Sequence, residues 1–265
     1  MPPRRKKKTN NSLRTALVIA VLAIGLAVAY VGYLWIESRE VKMVRYSAFG
    51  IPMPVSYSIH GIDVSRYQQR ISWEAVKEME VKGIRIHFAF IKATEGARSV
   101  DPFFKRNWRK SREAGIVRGA YHFFSPTKSG RLQAQNFIDQ VDLQPGDLPP
   151  VLDVEQAGHV KPATIRKEVK AWLQMAEEYY GVKPIIYANI SFYKRYLEGY
   201  VDDYPLWVAH YLQPDQPRIE RDWDFWQHSE TGRVDGIVSK VDFNVFNGDS
   251  LAFRELLVGE RASGL

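Results

Sequence analysis

The stretch Leu148-Pro149-Pro150-Val151-Leu152-Asp153-Val154-Glu155 combines an apolar run with two carboxylates two residues apart. The apolar run predicts a buried strand, and alternate side chains of a strand point to the same face. Asp153 and Glu155 should therefore emerge side by side, with attachment points about 6.6 Å apart. Two acids placed in this way can divide general-acid work and charge stabilisation at a glycosidic bond. The spacing alone does not decide this, because Glu78 and Glu80 repeat it in a less strand-like setting.

Short apolar runs and longer amphipathic stretches alternate along the chain from Ile59 onward. This alternation is typical of strands joined by helical crossovers into a parallel sheet. Eight runs are predicted strands, at residues 59–64, 86–92, 117–124, 151–155, 184–188, 206–211, 225–228 and 241–243. Helices are predicted at residues 73–82, 103–114, 129–141 and 163–180, and little room for one remains between the last strands. We therefore expect an α/β fold, an irregular β/α barrel with eight strands and fewer than eight helices.

The excess positive charge of the chain is concentrated at its N-terminus. The formal net charge is +7, and six basic residues precede residue 15: Arg4, Arg5, Lys6, Lys7, Lys8 and Arg14. From residue 46 onward, 28 basic residues balance 28 acidic ones. A nucleic-acid partner requires a basic face on the folded domain, so we expect none. The absence of cysteine is compatible with an oxidising compartment, because a domain of about 210 residues folds without disulfides.

An uncharged apolar segment follows the basic tail at residues 1–15. Residues 16–36 contain no charged side chain and are long enough to cross a hydrocarbon core of about 30 Å as a helix. The positive charge before this segment predicts that the tail stays in the cytoplasm while the rest of the chain crosses the membrane. A cleaved signal peptide is the alternative, because Ala27-Val28-Ala29 offers small residues at cleavage spacing. Residues 37–57 show no sustained period and are predicted to form a juxtamembrane stalk, which leaves residues 58–265 as the folded domain.

Polar and aromatic side chains gather where the predicted strands end. In parallel barrels the working groups lie at the carboxyl ends of the strands, where the loops open. The residues at these ends include Asp63, Glu95, Asp153, Glu155, Tyr187, Asn189, Tyr211, Gln227, Asp242 and Asn244. Such a ring suits carbohydrate, since carboxylates and amides bind hydroxyl groups and aromatic faces stack on sugar rings. Other roles stay open, because an isolated strand-end aspartate often caps the next helix and the central acids could pair with Lys or Arg.

Histidines raise a separate hypothesis, a metal-dependent hydrolase such as a polysaccharide deacetylase. His60, His122, His210 and His228 all fall near strand ends. No two histidines have the H-x-H or H-E-x-x-H spacing of such sites. The chain also lacks a G-x-S-x-G elbow, a phosphate-binding loop and any cysteine nucleophile. Carboxylate chemistry is the interpretation that remains, and we expect neither a metal nor another cofactor.

The chain from about His60 to Phe253 resembles glycoside hydrolase family 25, the muramidases also called Chalaropsis-type lysozymes. Seven separated blocks carry the resemblance in order: Gly61-Ile62-Asp63-Val64-Ser65 with Tyr67-Gln68; Phe90-Ile91-Lys92-Ala93-Thr94-Glu95-Gly96; Ala114-Gly115 with Gly119-Ala120-Tyr121-His122-Phe123; Pro150-Val151-Leu152-Asp153-Val154-Glu155; Leu206-Trp207-Val208-Ala209; Phe225-Trp226-Gln227-His228-Ser229; and Val241-Asp242-Phe243-Asn244. One departure from the family pattern is Gln69, which stands where the family has a glycine. This departure bears only on the conformation of the local turn.

The resemblance implies hydrolysis of the β-1,4 bond between N-acetylmuramic acid and N-acetylglucosamine in peptidoglycan. By position, Glu155 would be the general acid, and Asp153 would stabilise the developing charge by positioning the substrate's acetamido group as nucleophile. Asp63 and Asp242 match two further acids of the family, which orient the substrate and the central pair. The implied substrate-binding residues are Tyr121, Tyr187, Trp207, Trp226 and Gln227.

The spacing and ionisation of the central acids bear on the mechanism. Retaining enzymes with an enzymic nucleophile hold their carboxyls about 5–5.5 Å apart and inverting enzymes about 6.5–9.5 Å. A same-face strand pair lies between these two cases, so either stereochemical outcome stays open. For Glu155 to act as an acid near neutral pH its pKa must be raised, and we expect an ionised Asp153 to raise it by like-charge repulsion.

We therefore expect a membrane-anchored muramidase whose partners are peptidoglycan glycan strands and, through residues 16–36, membrane lipid. Its N-terminus would lie inside a bacterial cytoplasmic membrane and its catalytic domain outside, in the periplasm or the extracellular space. Two alternatives are kept: a non-catalytic wall-binding anchor that retains the groove, and the metal-dependent deacetylase. Nothing in the sequence specifies an oligomeric state.

Overall fold

The computed structural model describes residues 11–37 and 43–259, which form two compact units. The first unit contains one helix, α1 (Asn11–Glu37). Its segment Thr15–Trp35 has a mean hydropathy of 2.5 and no buried side chain, so it is long and apolar enough to cross a membrane. A signal sequence near an N-terminus meets the same criterion, so anchoring through residues 16–36 stays a prediction. The basic residues at positions 4–8 lie outside the described residues.

The second unit is built on a closed barrel of eight strands, as the sequence predicts. The strands in the described residues are β1 (Met43–Tyr46), β2 (Ile51–Pro54), β3 (His60–Val64), β4 (Glu80–Val81), β5 (Ile84–Glu95), β6 (Ser99–Val100), β7 (Val117–Phe123), β8 (Val151–Asp153), β9 (Ile185–Asn189), β10 (Leu206–Ala209), β11 (Phe225–Gly232) and β12 (Val241–Phe246). Around the barrel the order is β3, β5, β7, β8, β9, β10, β11 and β12, and β12 pairs with β3 to close it.

The last barrel strand runs against the other seven. β12 pairs antiparallel with both β11 and β3, whereas the remaining barrel pairings are parallel. Only residues 233–240 connect β11 to β12, which is shorter than the dozen or so residues that a parallel crossover needs. The expectation of a wholly parallel sheet is therefore wrong for this strand. As a consequence Asp242, at the start of β12, pairs in register with Asp63, near the end of β3.

The helices that follow α1 are α2 (Trp73–Glu78), α3 (Phe104–Glu113), α4 (Gly130–Ile138), α5 (Pro162–Tyr180), α6 (Ile190–Phe192) and α7 (Ser250–Leu256). A 3₁₀ turn at Arg66–Gln68 and a π turn at Tyr193–Leu197 complete the helical segments of the described chain. The sequence of α5 shows why it forms: Pro162 stands in its first turn, and Gly181 ends it in a left-handed conformation with φ 71°. The prediction of fewer than eight helices is confirmed.

Two hydrophobic clusters lie on opposite sides of the barrel wall. The inner cluster fills the barrel, where the rings of Phe90 and Trp207 stack with centroids 4.3 Å apart. Two glycines make room for it, because a Cβ on Gly61 would lie 2.4 Å from the ring of Phe88 and one on Gly119 would lie 2.6 Å from that of Phe90. The outer cluster joins the other face of the strands to the helices. The barrel interior is thus a packed core, and ligand space is left at the mouth.

Residues 43–54 belong to the folded unit and not to a stalk. β1 and β2 form an antiparallel hairpin. Its buried hydrophobic side chains are Phe49, Ile51 and Met53. The ring of Phe49 contacts that of Phe243 on β12, with centroids 5.5 Å apart. The predicted stalk at residues 37–57 is therefore wrong over this hairpin, because its apolar side chains complete the outer cluster. Residues 38–42 lie outside the described residues.

Candidate active site

A cavity of about 270 Å³ opens at the barrel mouth. Its lining consists of Asp63, Ser65, Tyr67, Lys92, Tyr121, Phe123, Asp153, Glu155, Tyr187, Trp207, Tyr211, Gln227, Glu230 and Asp242. The structure therefore brings together eight of the nine site residues predicted from the sequence. The four acids come from three places on the barrel: the end of β8, the end of β3 and the start of the antiparallel β12.

Trp226 is the predicted site residue that does not line this cavity. Its side chain is fully buried in the outer cluster, where its ring packs against that of Tyr57 with centroids 6.2 Å apart. Its indole Nε1 donates to the carbonyl oxygen of His210 at 2.9 Å. Neighbouring residues of a strand face opposite sides, and Gln227 faces the cavity, so Trp226 must face outward. Its predicted role in substrate binding is wrong for this reason.

The central acids Asp153 and Glu155 share one wall of the cavity. Asp153 ends β8 and is 7% exposed, while Glu155 follows the strand and is half-buried. Neither carboxyl forms an ion pair with a Lys or Arg among the described residues. The alternative interpretation of these acids as half of a structural ion pair is therefore wrong in the described part of the chain.

Both central carboxyls hold their protons more tightly than free carboxyls do. Burial raises the pKa of Asp153 well above its usual value, and the negative charge of Glu155 raises it further. The Oδ1 atom of Asp153 is buried and finds no hydrogen-bond partner in the described residues, which makes ionisation costly. Burial also raises the pKa of Glu155, followed by the charge of Asp63, while the ammonium of Lys92 lowers it. The pKa of Glu155 is thus raised, as predicted. The main causes are burial and the charge of Asp63, and not the charge of Asp153.

Asp63 and Asp242 form a second acidic pair, and a hydrogen bond joins their carboxyls. The Oδ2 atom of Asp63 also accepts hydrogen bonds from Gln227 Nε2 at 2.7 Å and from Asn244 Nδ2 at 2.8 Å. Burial raises the pKa of Asp242, and the negative charge of Asp63 raises it further. Two carboxyls in contact resist double ionisation, so this pair holds a proton between its members.

The two amides that bind Asp63 are themselves held by aromatic side chains. The hydroxyls of Tyr187 and Tyr211 donate to Gln227 Oε1 at 2.8 and 2.6 Å. The indole Nε1 of Trp207 donates to Asn244 Oδ1 at 2.8 Å. The sequence resemblance placed Gln227 and Trp207 among the substrate-binding residues. Their polar side-chain atoms instead form hydrogen bonds within the protein.

Several lining residues were not predicted as site residues, and Lys92 is the most informative. Its ammonium lies 2.6 Å from Glu95 Oε2 and 4.4 Å from the ring centroid of Phe123. Strand periodicity would have found it, because Phe88 and Phe90 on β5 face the inner cluster and Lys92 follows in the same alternation. The other unpredicted lining residues are Ser65, Tyr67, Phe123 and Glu230, while Tyr211 was named only as a strand-end residue.

The four strand-end histidines are not among the residues that line the cavity. The ring of His122, for example, lies in the outer layer, stacked on Trp172 with centroids 5.8 Å apart and bonded to Thr94 Oγ1 at 2.7 Å. In the described residues, no three His, Cys, Asp or Glu side chains are grouped so that they could hold a metal ion. The deacetylase hypothesis therefore lacks a ligand set in this part of the chain.

The turn at Gln69 adjoins the cavity and departs from ordinary backbone geometry. Gln69 has φ 53° and ψ −125°, a conformation that glycine adopts readily and residues with a Cβ avoid. The preceding turn is held by a capping box in which Gln68 and Ser65 exchange hydrogen bonds. Ser65 and Tyr67 of this turn line the cavity, so the strained residue directly follows a segment of the site.

Comparisons with known proteins agree on one family. The model of "Glycosyl hydrolases family 25" matches residues 62–237. The chain is 55% identical over 201 residues to the uncharacterized protein YegX of Escherichia coli (strain K12), covering 76% of this chain and 74% of that protein. It is 35% identical over 207 residues to lysozyme M1 of Streptomyces globisporus, covering 72% and 69%. A solved family 25 glycosyl hydrolase from Bacillus anthracis is 35% identical with a TM-score of 0.70, covering 76% of this chain and 94% of that one.

Proposed function

Since the chain belongs to glycosyl hydrolases family 25, which makes it a muramidase acting on peptidoglycan, we propose that Glu155 and Asp153 carry out the hydrolysis. The bond cleaved is the β-1,4 linkage from N-acetylmuramic acid to N-acetylglucosamine. The observation that carries this proposal is the placement of both carboxyls on one cavity wall, without a cationic partner in the described residues. The raised pKa of Glu155 favours the protonated form that a general acid needs.

Glu155 acts as the general acid in this proposal. It gives its proton to the bridging oxygen as the bond from that oxygen to C1 of the muramyl sugar breaks. The carbonyl oxygen of the substrate's own acetamido group bonds to C1, and Asp153 accepts the acetamido N–H, whose acidity rises as positive charge develops. Water then attacks C1, reopens the ring so formed, and returns a proton to Glu155. In this scheme the more exposed acid, Glu155, protonates the leaving group. The more buried acid, Asp153, stabilises the developing positive charge.

The aromatic lining supports the same class of ligand. Tyr67 is 70% exposed at the cavity edge, and Tyr121 lies deeper in the wall. Aromatic faces beside carboxylates suit a sugar chain, whose ring faces are apolar and whose edges carry hydroxyls. We propose that Tyr67 and Tyr121 contact the sugar rings, while Asp63 and Asp242 orient the substrate and the central acids.

The N-terminal helix bears on where this activity takes place. A domain that acts on peptidoglycan works outside the cytoplasm. We propose that α1 anchors the chain in the cytoplasmic membrane with its N-terminus inside, as the basic residues at 4–8 favour. The mass of the chain recovered from whole cells tests this, because cleavage after Ala29 would remove the whole basic tail.

The test of the catalytic assignment is turnover by two acid variants on purified peptidoglycan. Glu155→Gln and Asp153→Asn should each reduce the release of new reducing ends by about 10²–10⁴-fold, the usual contribution of a positioned proton-transfer group. Glu113→Gln, in an exposed ion pair on α3, is the matched control and should keep full activity. Mass analysis of the products identifies the reducing-end sugar, which should be N-acetylmuramic acid.

Two outcomes would contradict the proposal. Near-normal turnover by Glu155→Gln, with thermal unfolding unchanged, would remove that residue from the acid role. A wild-type chain that sediments with the wall and releases no reducing ends would instead be a binding protein, the alternative kept from the sequence.

A further inference from the structure

The bond from Trp207 to Asn244 reveals which atom of the Asn244 amide faces which neighbour. An indole N–H is a donor only, so the atom 2.8 Å from Trp207 Nε1 must be the acceptor, Oδ1 of Asn244. The amide nitrogen of Asn244 then faces the other way, and it lies 2.8 Å from Asp63 Oδ2. An amide nitrogen can only donate, so Asp63 Oδ2 accepts this bond.

The amide of Gln227 reaches the same oxygen from another strand. Its Oε1 accepts both tyrosine hydroxyls, so its Nε2 is directed at Asp63 Oδ2, 2.7 Å away. Two N–H donors on one carboxylate oxygen form charge-assisted hydrogen bonds, which are strongest when that carboxylate is ionised. Trp207 and Asn244 are 2% and 0% exposed, so water does not compete for these positions.

This arrangement distinguishes the two members of the second acidic pair. Asp63 is bonded to Asp242 as well as to the two amides, and a bond between two carboxyls needs one proton. Asp242 has no comparable pair of amide donors among the described residues. We propose that Trp207 and Asn244 are positioning residues that keep Asp63 ionised and leave the shared proton on Asp242.

The charge on Asp63 affects Glu155, the general acid of the proposed function. The catalytic meaning of this inference therefore rests on that proposed function. The negative charge of Asp63 is the second-largest cause of the raised pKa of Glu155, after burial. A fixed charge on Asp63 therefore helps Glu155 to retain its proton until the substrate arrives. Trp207 acts in this scheme through Asn244 and Asp63, and not as a platform for a sugar ring.

A carbon-13 NMR titration of the aspartate carboxyls measures the proton's position directly and does not require turnover. Near neutral pH the Asp63 carboxyl carbon should show the shift of an ionised group and that of Asp242 the shift of a protonated one, with Asp63→Asn and Asp242→Asn assigning the signals. Asn244→Leu should raise the titration midpoint of Asp63 by about one to two pH units, since one hydrogen bond to a charged group is lost. Trp207→Phe, which keeps an aromatic ring, should raise it in the same direction.

The matched control is Trp73→Phe. It removes a second buried indole–asparagine bond, from Trp73 Nε1 to Asn107 Oδ1 at 3.3 Å, from residues that do not line the cavity. This variant should leave the Asp63 titration unchanged, whatever it does to stability. A protonated Asp63 in the wild-type chain, or an unmoved midpoint in both Asn244→Leu and Trp207→Phe, would overturn the inference.

Activity supplies an independent comparison. Asp242→Asn can still donate an N–H to Asp63, so it should retain at least tenfold more activity on peptidoglycan than Asp63→Asn; the opposite ranking would overturn the inference. A wild-type chain without activity would contradict the proposed function alone, because the titration would still locate the proton.

Discussion

His228 offers a sharp test of how the barrel tolerates acid. Its side chain is buried between the rings of Trp226 and Phe243, with centroids 5.5 and 6.2 Å away. Neither ring nitrogen has a hydrogen-bond partner in the described residues. Burial, and then the charge of His60, lower the pKa of His228 from 6.5 to about 3. The perturbation is His228→Leu, which removes the titrating ring and fills the site with an apolar side chain of similar size.

The lowered pKa of His228 determines how folding stability changes with pH. Below pH 6.5 the unfolded chain binds a proton at this residue while the folded chain does not, so folding stability falls as the pH decreases. Each pH unit between about 6.5 and 3 costs about 1.4 kcal/mol, which gives about 2 kcal/mol at pH 5 and about 4 kcal/mol at pH 3, where the folded ring is half protonated. The variant lacks this loss. Its free energy of unfolding, minus that of the wild type, should be constant above pH 6.5 and rise by about 2 kcal/mol on going to pH 5.

The assay is urea unfolding of the full chain in detergent, followed by tryptophan fluorescence at intervals between pH 7.5 and 5. Subtracting the wild-type curve cancels titrating groups that do not interact with His228, such as His122, which both proteins retain. The exposed Val238→Ala, which removes no titrating group, is the control, and its difference from the wild type should not change with pH. A pH-independent difference for His228→Leu would refute the reasoning, since it would mean that the folded chain protonates this ring as readily as the unfolded one.

Three further changes test the turn, the core and the site. Gln69→Gly should raise the free energy of unfolding by about 1 kcal/mol, because it relieves a positive φ that costs about 1–3 kcal/mol but adds backbone freedom to the unfolded chain; a lower melting temperature would contradict this. Arg118→Met should lower the free energy of unfolding by about 3–5 kcal/mol, measured by urea unfolding. The carboxylate of Asp147, which is 5% exposed, would lose both of its hydrogen bonds to the guanidinium. The double variant with Asp147→Leu should recover most of that loss. Lys92→Met should raise the pKa of Glu155, so the alkaline limb of the pH profile of kcat/KM should move to higher pH; an unmoved limb would show that the ammonium does not act on the acid.

Local patterns in the sequence were sufficient to predict the elements and most of the site. The eight barrel strands and the helices α3, α4 and α5 were predicted because periods of 2 and 3.6 residues record which face of each element is buried. The helix predicted at residues 73–82 is wrong beyond Glu78, where α2 ends and β4 follows at Glu80–Val81. The clustering of Asp63, Asp153 and Glu155 at one mouth follows from the parallel direction of their strands, which a sequence of alternating strands and helices implies. Family resemblance gave Asp242 its predicted catalytic role, because its position at a predicted strand end left open a role as a helix cap.

Contacts between distant parts of the chain explain what the sequence analysis missed. The direction of β12 depends on its pairing with both β11 and β3, which closes the barrel. The packing of Phe49 depends on the hydrophobic surface around Phe243, which the periodicity of the local sequence does not reveal. The proton on the second acidic pair depends on Trp207 and Asn244, which lie 37 residues apart and meet only inside the barrel. Periodicity reports whether a side chain is buried, whereas charge state and hydrogen-bond direction depend on the particular neighbours that folding brings within about 3 Å.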